Sequence, residues 1–279
     1  MTKRLFLINI KIWIELFIRP LSSALRQQFL LKEFVSREVK GRFAGSMAGG
    51  LWTVIHPLAM ICSYYFVFSV VLRVSVTAQE TGTDHFVVFF LTGFFPWIMF
   101  ADSLGKSVGV IVQNAGLVTK VVFPVELLPL STVIASFVLQ GIGFFIFMIY
   151  LMFCGYFDPI WLLLPFLFVL EALFALGLSY FLAALCVFVR DTTEVLNIFM
   201  MIWFFGTPVI YPGSMVPDNF QFFLLLNPMF HFIKMIRGVV LMHSLDYWSV
   251  LAMTAISLGT YLLGVCFFLR TRHGFGDVL

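Results

Sequence analysis

The sequence predicts an all-α integral membrane protein of six transmembrane helices, entered through an N-terminal amphipathic interfacial helix and carrying a re-entrant helix pair between spans 5 and 6. Three observations predict it. Hydrophobic residues make up 61% of the 279 and charged residues only 11%, with a mean hydropathy of +1.04. A water-soluble globule of this size cannot bury that much apolar surface. From Leu51 onward, runs long enough to cross a bilayer recur with almost no Asp, Glu, Lys or Arg. Nine of the 17 cations lie in residues 1–50, the asymmetry that holds a terminus on the cytoplasmic side.

Residues 5–18 form an apolar run interrupted by Asn9, Lys11 and Glu15 and stopped after Arg19 by Pro20. Too short and too charged to cross, the run reads as a surface-lying helix. Lys3 and Arg4 before it and Ser22, Ser23 and Ala24 after it also suit a signal peptide, which the internal charges oppose. From Lys32 to Leu58 the chain reads KEFVSREVKGRFAGSMAGGLWTVIHPL. Leu31, Val35, Val39 and Phe43 fall on one helical face, and Lys32, Glu33, Ser36, Arg37 and Lys40 mainly on the others. Such a helix lies with its apolar stripe at the acyl boundary and its cations at headgroups. Gly41, Gly45 and Gly49 are read as bending the chain into the first span, in preference to a helix-packing series.

Span 1 covers residues 51–72, bracketed by Trp52 and Arg73 as interface anchors. A polar loop leads to span 2 at residues 86–112. This span takes in Asp102 and Lys106, one turn apart and expected to pair with each other. Gly105-Lys106-Ser107 is not a phosphate loop, because position 100 is Phe where Gly is required. Residues 113–129 make a loop with a short helix. Span 3 covers 130–153 and span 4 covers 159–189, with Glu171 near its middle. A carboxylate there costs about 2.5–3.5 kcal/mol. It is expected to face protein or water, as a protonated, hydrogen-bonded group. Span 5 covers 195–211 and ends at Pro208 and Pro212. Residues 220–240 are split by Asn227 and Pro228 into halves too short to cross, hence the re-entrant pair. Span 6 covers 247–269. The chain divides into an interfacial segment (1–50), a six-span region (51–270) and a polar tail (271–279).

Adding Lys106, Lys120, Arg190, Arg270 and Arg272 puts 14 of the 17 cations on one side and leaves Arg73, Lys234 and Arg237 on the other. Both termini are then cytoplasmic, and the re-entrant pair is on the outer side. The four cysteines form no CxxC and the five histidines no ligand spacing, so no metal is expected. No HExxH, no paired catalytic carboxylates and no nucleophile beside a base stand at workable spacing, which excludes a familiar membrane enzyme. A channel or proton-coupled carrier calls for repeated intramembrane charges or broken inner helices, and Glu171 is almost alone. Nucleic acid is not an expected partner. What remains is a conduit whose energy source lies in another chain, since no nucleotide-binding motif is present.

The stretches SREVKGRFAGSMAGGLWTVIHPL, NAGLVTKVVFPVELLPL, FVRDTTEVLN with FFGTPVIYP, and LNPM followed by Arg237 carry a resemblance. Over residues 30–270 the chain resembles the membrane subunit of type-2 polysaccharide-export ABC transporters, which handle O-antigen, capsule or teichoic acid. His56 before Pro57 departs from the Asn usual there. The resemblance implies a homodimer in the bacterial inner membrane, joined to two separate ATP-binding subunits and holding no cofactor itself. It implies docking of that ATPase on Glu33, Arg37, Lys40 and Arg42, on the loop with Asn114 and Lys120, and beside Arg190 and Asp191. Residues 217–223 and 228–242, with Asn227, Pro228 and Arg237, become outer gate helices. ATP binding is expected to rock the subunits so that a lipid-linked glycan moves outward, O-antigen being the first choice and capsular glycan or teichoic acid the alternatives. A reading from another class is an integral membrane glycosyltransferase or a scaffold of envelope synthesis. In the family, spans 1 and 5 border the translocation path, and Tyr64, Tyr65, Phe68, Trp203, Phe204 and Phe205 concentrate there. Aromatic faces with polar edges suit pyranose rings, though for any single Phe contact with lipid or a neighbouring helix is the stronger explanation, and for Tyr64, Tyr65 and Trp203 the two stand even.

Overall fold

Hydrocarbon offers backbone amides no water, so charge-free runs satisfy their N–H and C=O groups within helices. The computed structural model describes Pro20 and residues 22–43, 45–121 and 123–279. The surface helix expected at residues 5–18 and the competing signal peptide lie outside the described residues. Among the described residues, nine helices carry the architecture: α1 (Gln28–Gly41), α2 (Trp52–Tyr65), α3 (Phe86–Ser107), α4 (Leu127–Phe153), α5 (Leu164–Phe188), α6 (Thr192–Phe205), α7 (Asp218–Leu225), α8 (Pro228–Leu241) and α9 (Tyr247–Thr271). Short helical turns at Ala78–Thr81, Val110–Gln113 and Ala115–Lys120 lie between them, and another at Phe275–Val278 follows α9. The only β pairing among the described residues is an isolated bridge between Ser75 and His85.

Among the described residues, five stretches are long and apolar enough to cross a membrane: Gly49–Val71, Phe86–Ser107, Leu127–Phe153, Pro159–Phe188 and Tyr247–Val278. The expected fifth span differs. Its helix, α6, has only 14 residues, about 21 Å at 1.5 Å per residue, short of the ~30 Å hydrocarbon core. The chain leaves the helix at Gly206, where Thr207 Oγ1 donates back to the Trp203 carbonyl (2.7 Å) and Pro208 and Pro212 supply no N–H. The pair expected to be re-entrant is α7 and α8, which meet at 90°. Asn227 caps α8, its Oδ1 accepting from Met229 N (3.0 Å), and Pro228 occupies the first helical position.

Helix α3 is the hub, packing on α4, α5 and α8 and touching α6. Helices α5 and α9 run parallel, as the contacts Gly177 to Thr260, Tyr180 to Phe268 and Phe188 to Phe275 show. Their closest approach is at two glycines: a Cβ on Gly264 would lie 1.9 Å from the Gly177 carbonyl oxygen. That crossing, unlike residues 41–49, is where small side chains bring helices together. A Cβ on Gly41, Gly45 or Gly49 would meet nothing within 4 Å, and Gly45 (φ +80°) and Gly49 (φ +49°) take left-handed turns, as expected of a bend. Glu171 faces protein, fully buried, yet neither carboxyl oxygen has a hydrogen-bond partner among the described residues. The hydrogen bond expected for it is therefore not made.

Candidate functional site

Three regions hold the residues singled out by sequence. At the end of the bundle where α1 lies, α1 packs along α4. Its inward face centres on Phe34, which is buried and meets Phe123 edge-on at 5.9 Å. Glu33, Arg37 and Lys40 are exposed. Arg37 Nη2 donates to Asn114 Oδ1 (2.9 Å), so two stretches 77 residues apart share one surface. The turn Ala115–Lys120, with Lys120 exposed, touches the turn Phe275–Val278. That second turn buries Phe275 against Phe188, two residues before exposed Arg190 and Asp191. The tail, polar by composition, is held to the bundle by this aromatic and by Arg272, which pairs with Glu126.

Arg42 differs from its neighbours. Its Nη2 donates to Asp102 Oδ2 and to Ser136 Oγ (3.2 Å), with the side chains of Arg42 and Asp102 only 21% and 17% exposed. Arg42 thus fastens the end of α1 to α3 and α4, facing inward instead of outward. This also corrects the expected pair of Asp102 with Lys106, which is exposed while Asp102 turns to Arg42. A guanidinium reaching two acceptors on different helices outbids a flexible ammonium on the same helix. Glu126 was not singled out at all. It is 3% exposed, accepts from Ser23 Oγ (3.1 Å), pairs with Arg272 (3.4 Å), and its carbonyl accepts from Tyr180 OH (3.1 Å). The available signal was a lone acid inside the apolar stretch FPVELLP.

The second region is an aromatic column. Phe86, Phe90 and Phe94 recur every four residues along one face of α3. Tyr64 of α2 meets Phe90 at 4.8 Å and Phe94 at 5.5 Å, and Phe68 meets Phe86 at 4.9 Å. From the α6 side, Phe204 meets Trp97 at 5.4 Å and Trp203 meets Phe100 at 5.1 Å. Tyr64, Phe68, Trp203 and Phe204 are thus brought together through α3. Tyr65 is not: one residue on, about 100° around the helix, it is 53% exposed. It lines a separate groove with Tyr150 and Phe147 of α4. Trp203 also spends its polar edge internally, Nε1 donating to Asn227 Oδ1 (2.8 Å).

The third region is the re-entrant pair. Asn227 Nδ2 donates to Thr207 Oγ1 (2.8 Å), so one amide ties the tip of the pair to α6 through Trp203 and to the segment after it through Thr207. Helix α8 is buried along most of its length, and Phe232 packs on Phe174 of α5 at 5.9 Å. Arg237 is buried and donates to backbone carbonyls of α3 and of the segment after α6. Beyond α8, Asp246 caps α9 through Trp248 N (3.1 Å). The Ser249 hydroxyl holds the Asp246 carboxyl below its ordinary range.

The ABC-2 type transporter profile matches residues 30–241, from α1 through the end of α8. The chain belongs to this family. Family members are transport subunits, and three curated relatives resemble this chain across almost its whole length. The O-antigen export system permease protein RfbA of Myxococcus xanthus is 31% identical over 93% of this chain and 99% of its own. The protein of the same name from Klebsiella pneumoniae is 30% identical over 90% and 95%. The polysialic acid transport protein KpsM of Escherichia coli is 22% identical over 85% and 93%. The family region thus contains all three regions described above except the C-terminal turn and α9.

Proposed function

We propose that the chain is the membrane subunit of an ATP-driven exporter that carries a lipid-linked polysaccharide outward across the bacterial inner membrane, O-antigen being the first choice of cargo. The observation that carries this reading is the similarity to O-antigen export permeases over 95–99% of their length. The weaker match to a polysialic acid transporter makes capsular glycan the second choice.

In this reading two copies of the chain join two ATP-binding subunits, which supply the nucleotide site. The α1 end is cytoplasmic. Closure of the ATPases presses on Glu33, Arg37 and Lys40, on Asn114 and Lys120, and beside Arg190 and Asp191. The Arg42–Asp102 pair passes that push to α3, the hub of the bundle. The glycan slides along aromatic faces at the open sides of α2 and α6, where broad apolar rings give weak, exchangeable contact. Phe205 is 62% exposed and better placed for this than Phe68.

Depletion of the chain from cells that display the polymer tests the reading. Surface polymer is expected to fall while lipid-linked polymer accumulates inside, and a plasmid copy should reverse both. Unchanged surface polymer rejects it. Sugar transfer to a lipid-linked acceptor by the purified chain alone would support the glycosyltransferase class instead.

A further inference from the structure

Arg237 is 9% exposed and spends three donors on backbone carbonyls. Nε donates to Phe89 O (3.3 Å), Nη1 to Pro208 O (2.7 Å) and Nη2 to Val209 O (2.7 Å). Its Cζ stands 3.6 Å from the centre of the Phe89 ring. Gly93 makes room, since a Cβ there would lie 2.5 Å from Nη2. Carbonyl dipoles and a π face lower the cost of holding a guanidinium out of water but cancel none of its charge. Among the described residues no carboxylate lies within ion-pair distance of Arg237. A guanidinium has five N–H donors, so donors remain after these three bonds.

The same guanidinium lines a cavity of about 320 Å³ at the end of the bundle opposite α1. Lys234, three residues earlier on α8, lines it too, as do Glu80 and Ser214, between apolar walls that include Phe230 and Ile233. Lys234 is 56% exposed and reaches Asp246 only at 3.8 Å. Glu80 and Asp246 match the two cations in number, but Asp246 engages Lys234 and neither carboxylate lies within ion-pair distance of Arg237, so the deeper cation has no counter-ion. We propose that the cavity is a binding site for an anionic group of the phosphate or carboxylate class, with Arg237 at its floor, Lys234 as the flexible second contact and Glu80 opposing.

Its volume is near the lower end of the ~300–1,000 Å³ typical of small-ligand sites, so it takes a headgroup or one acidic sugar and not a polymer. The apolar walls favour an anion attached to a larger body over a bare ion. A buried Arg lined up with a half-exposed Lys also divides the work: the fixed fork sets geometry, and the lysine stem follows the ligand. This inference goes beyond the transport reading, because it needs neither nucleotide nor a second chain.

The test uses the full chain in phosphatidylcholine nanodiscs at low salt, titrated with inorganic diphosphate in a calorimeter. Saturable binding is expected. Its Kd should weaken about five- to tenfold in Lys234→Gln and tighten by a similar factor in Glu80→Gln, the effect of one unit charge near a protein surface. Thermal midpoints near that of the parent show that both variants fold. No saturable binding, or a Kd that the two substitutions leave unmoved or move in the same direction, overturns the proposal. Displacement of diphosphate by phosphatidylglycerol in the disc assigns a lipid phosphate as the source, and displacement by glucuronate assigns a sugar carboxylate. A failure here leaves the export reading standing, and a failure of export leaves this site standing.

Discussion

The span Gly49–Val71, which contains α2, and helix α3 are neighbours of nearly equal hydropathy, yet 78% of the most apolar stretch of α3 is buried within the subunit against 6% for that of Gly49–Val71. The difference lies in what each helix offers its neighbours. Helix α3 alternates large rings with Thr92, Gly93, Ser103 and Ser107, all buried, so that α4, α5 and α8 approach from several sides. The span containing α2 presents Val54, Ile55, Leu58, Phe66 and Val70 outward and meets the rings of α3 through Tyr64 and Phe68. Hydropathy reports that a helix has left water. It does not report whether lipid or protein receives it.

The sharpest way to break the enclosed side is Gly264→Leu, which drives a side chain into the Gly177 carbonyl. Overpacking of an unyielding backbone costs roughly 3 kcal/mol or more, so the variant should give little monodisperse protein on size exclusion in detergent. Next comes a matched pair. Phe100→Ala empties a fully buried site between Phe174 and Trp203 and should cost about 3–5 kcal/mol. Phe66→Ala, on a residue 58% exposed, should stay within about 0.5 kcal/mol. Equal shifts in thermal midpoint for the two would abolish the contrast between the helices.

Asn227→Ala should cost about 3 kcal/mol, because it strands the Trp203 N–H and an α8 N-terminal amide as well as losing the bond to Thr207. A red shift in tryptophan emission should accompany the lower midpoint. Arg42→Gln and Asp102→Asn should each cost roughly 1–2 kcal/mol, with the double variant costing less than their sum. Additive losses would mean that the two residues act separately. The smallest effect on folding belongs to Arg37→Glu, which changes an exposed hydrogen bond to Asn114. Its midpoint should hold within about 0.5 kcal/mol while the ATP-binding subunit copurifies poorly, and normal copurification would remove Arg37 from the docking face.

Local chemistry was readable from the chain. The break at Asn227-Pro228, the glycine bend before α2 and the long charge-free helices depend on neighbours in sequence, and each appears where composition places it. Features that depend on distant partners were not readable. Asp102 had Lys106 beside it and Arg42 60 residues away, and only the fold reveals which is nearer. Tyr64 and Tyr65 look alike in a string but point about 100° apart. Phe275 gives no hint, among Arg, His, Gly and Asp, that it is buried. The length of α6 was overestimated because an apolar run continues through Gly206 and Pro208 after the helical hydrogen bonding has ended.

The re-entrant pair has a mechanical consequence. Its tip is bonded to α6 through Asn227, and its rising arm is bonded to α3 through Arg237, which also grips the strand of chain leaving α6. The hairpin therefore rivets the hub to its flank. Parting α3 from α6 would break the Arg237 bond to Phe89 and pull Trp97 and Phe100 away from Phe204 and Trp203, so an opening large enough for cargo is expected at the seam around the subunit and not through its interior.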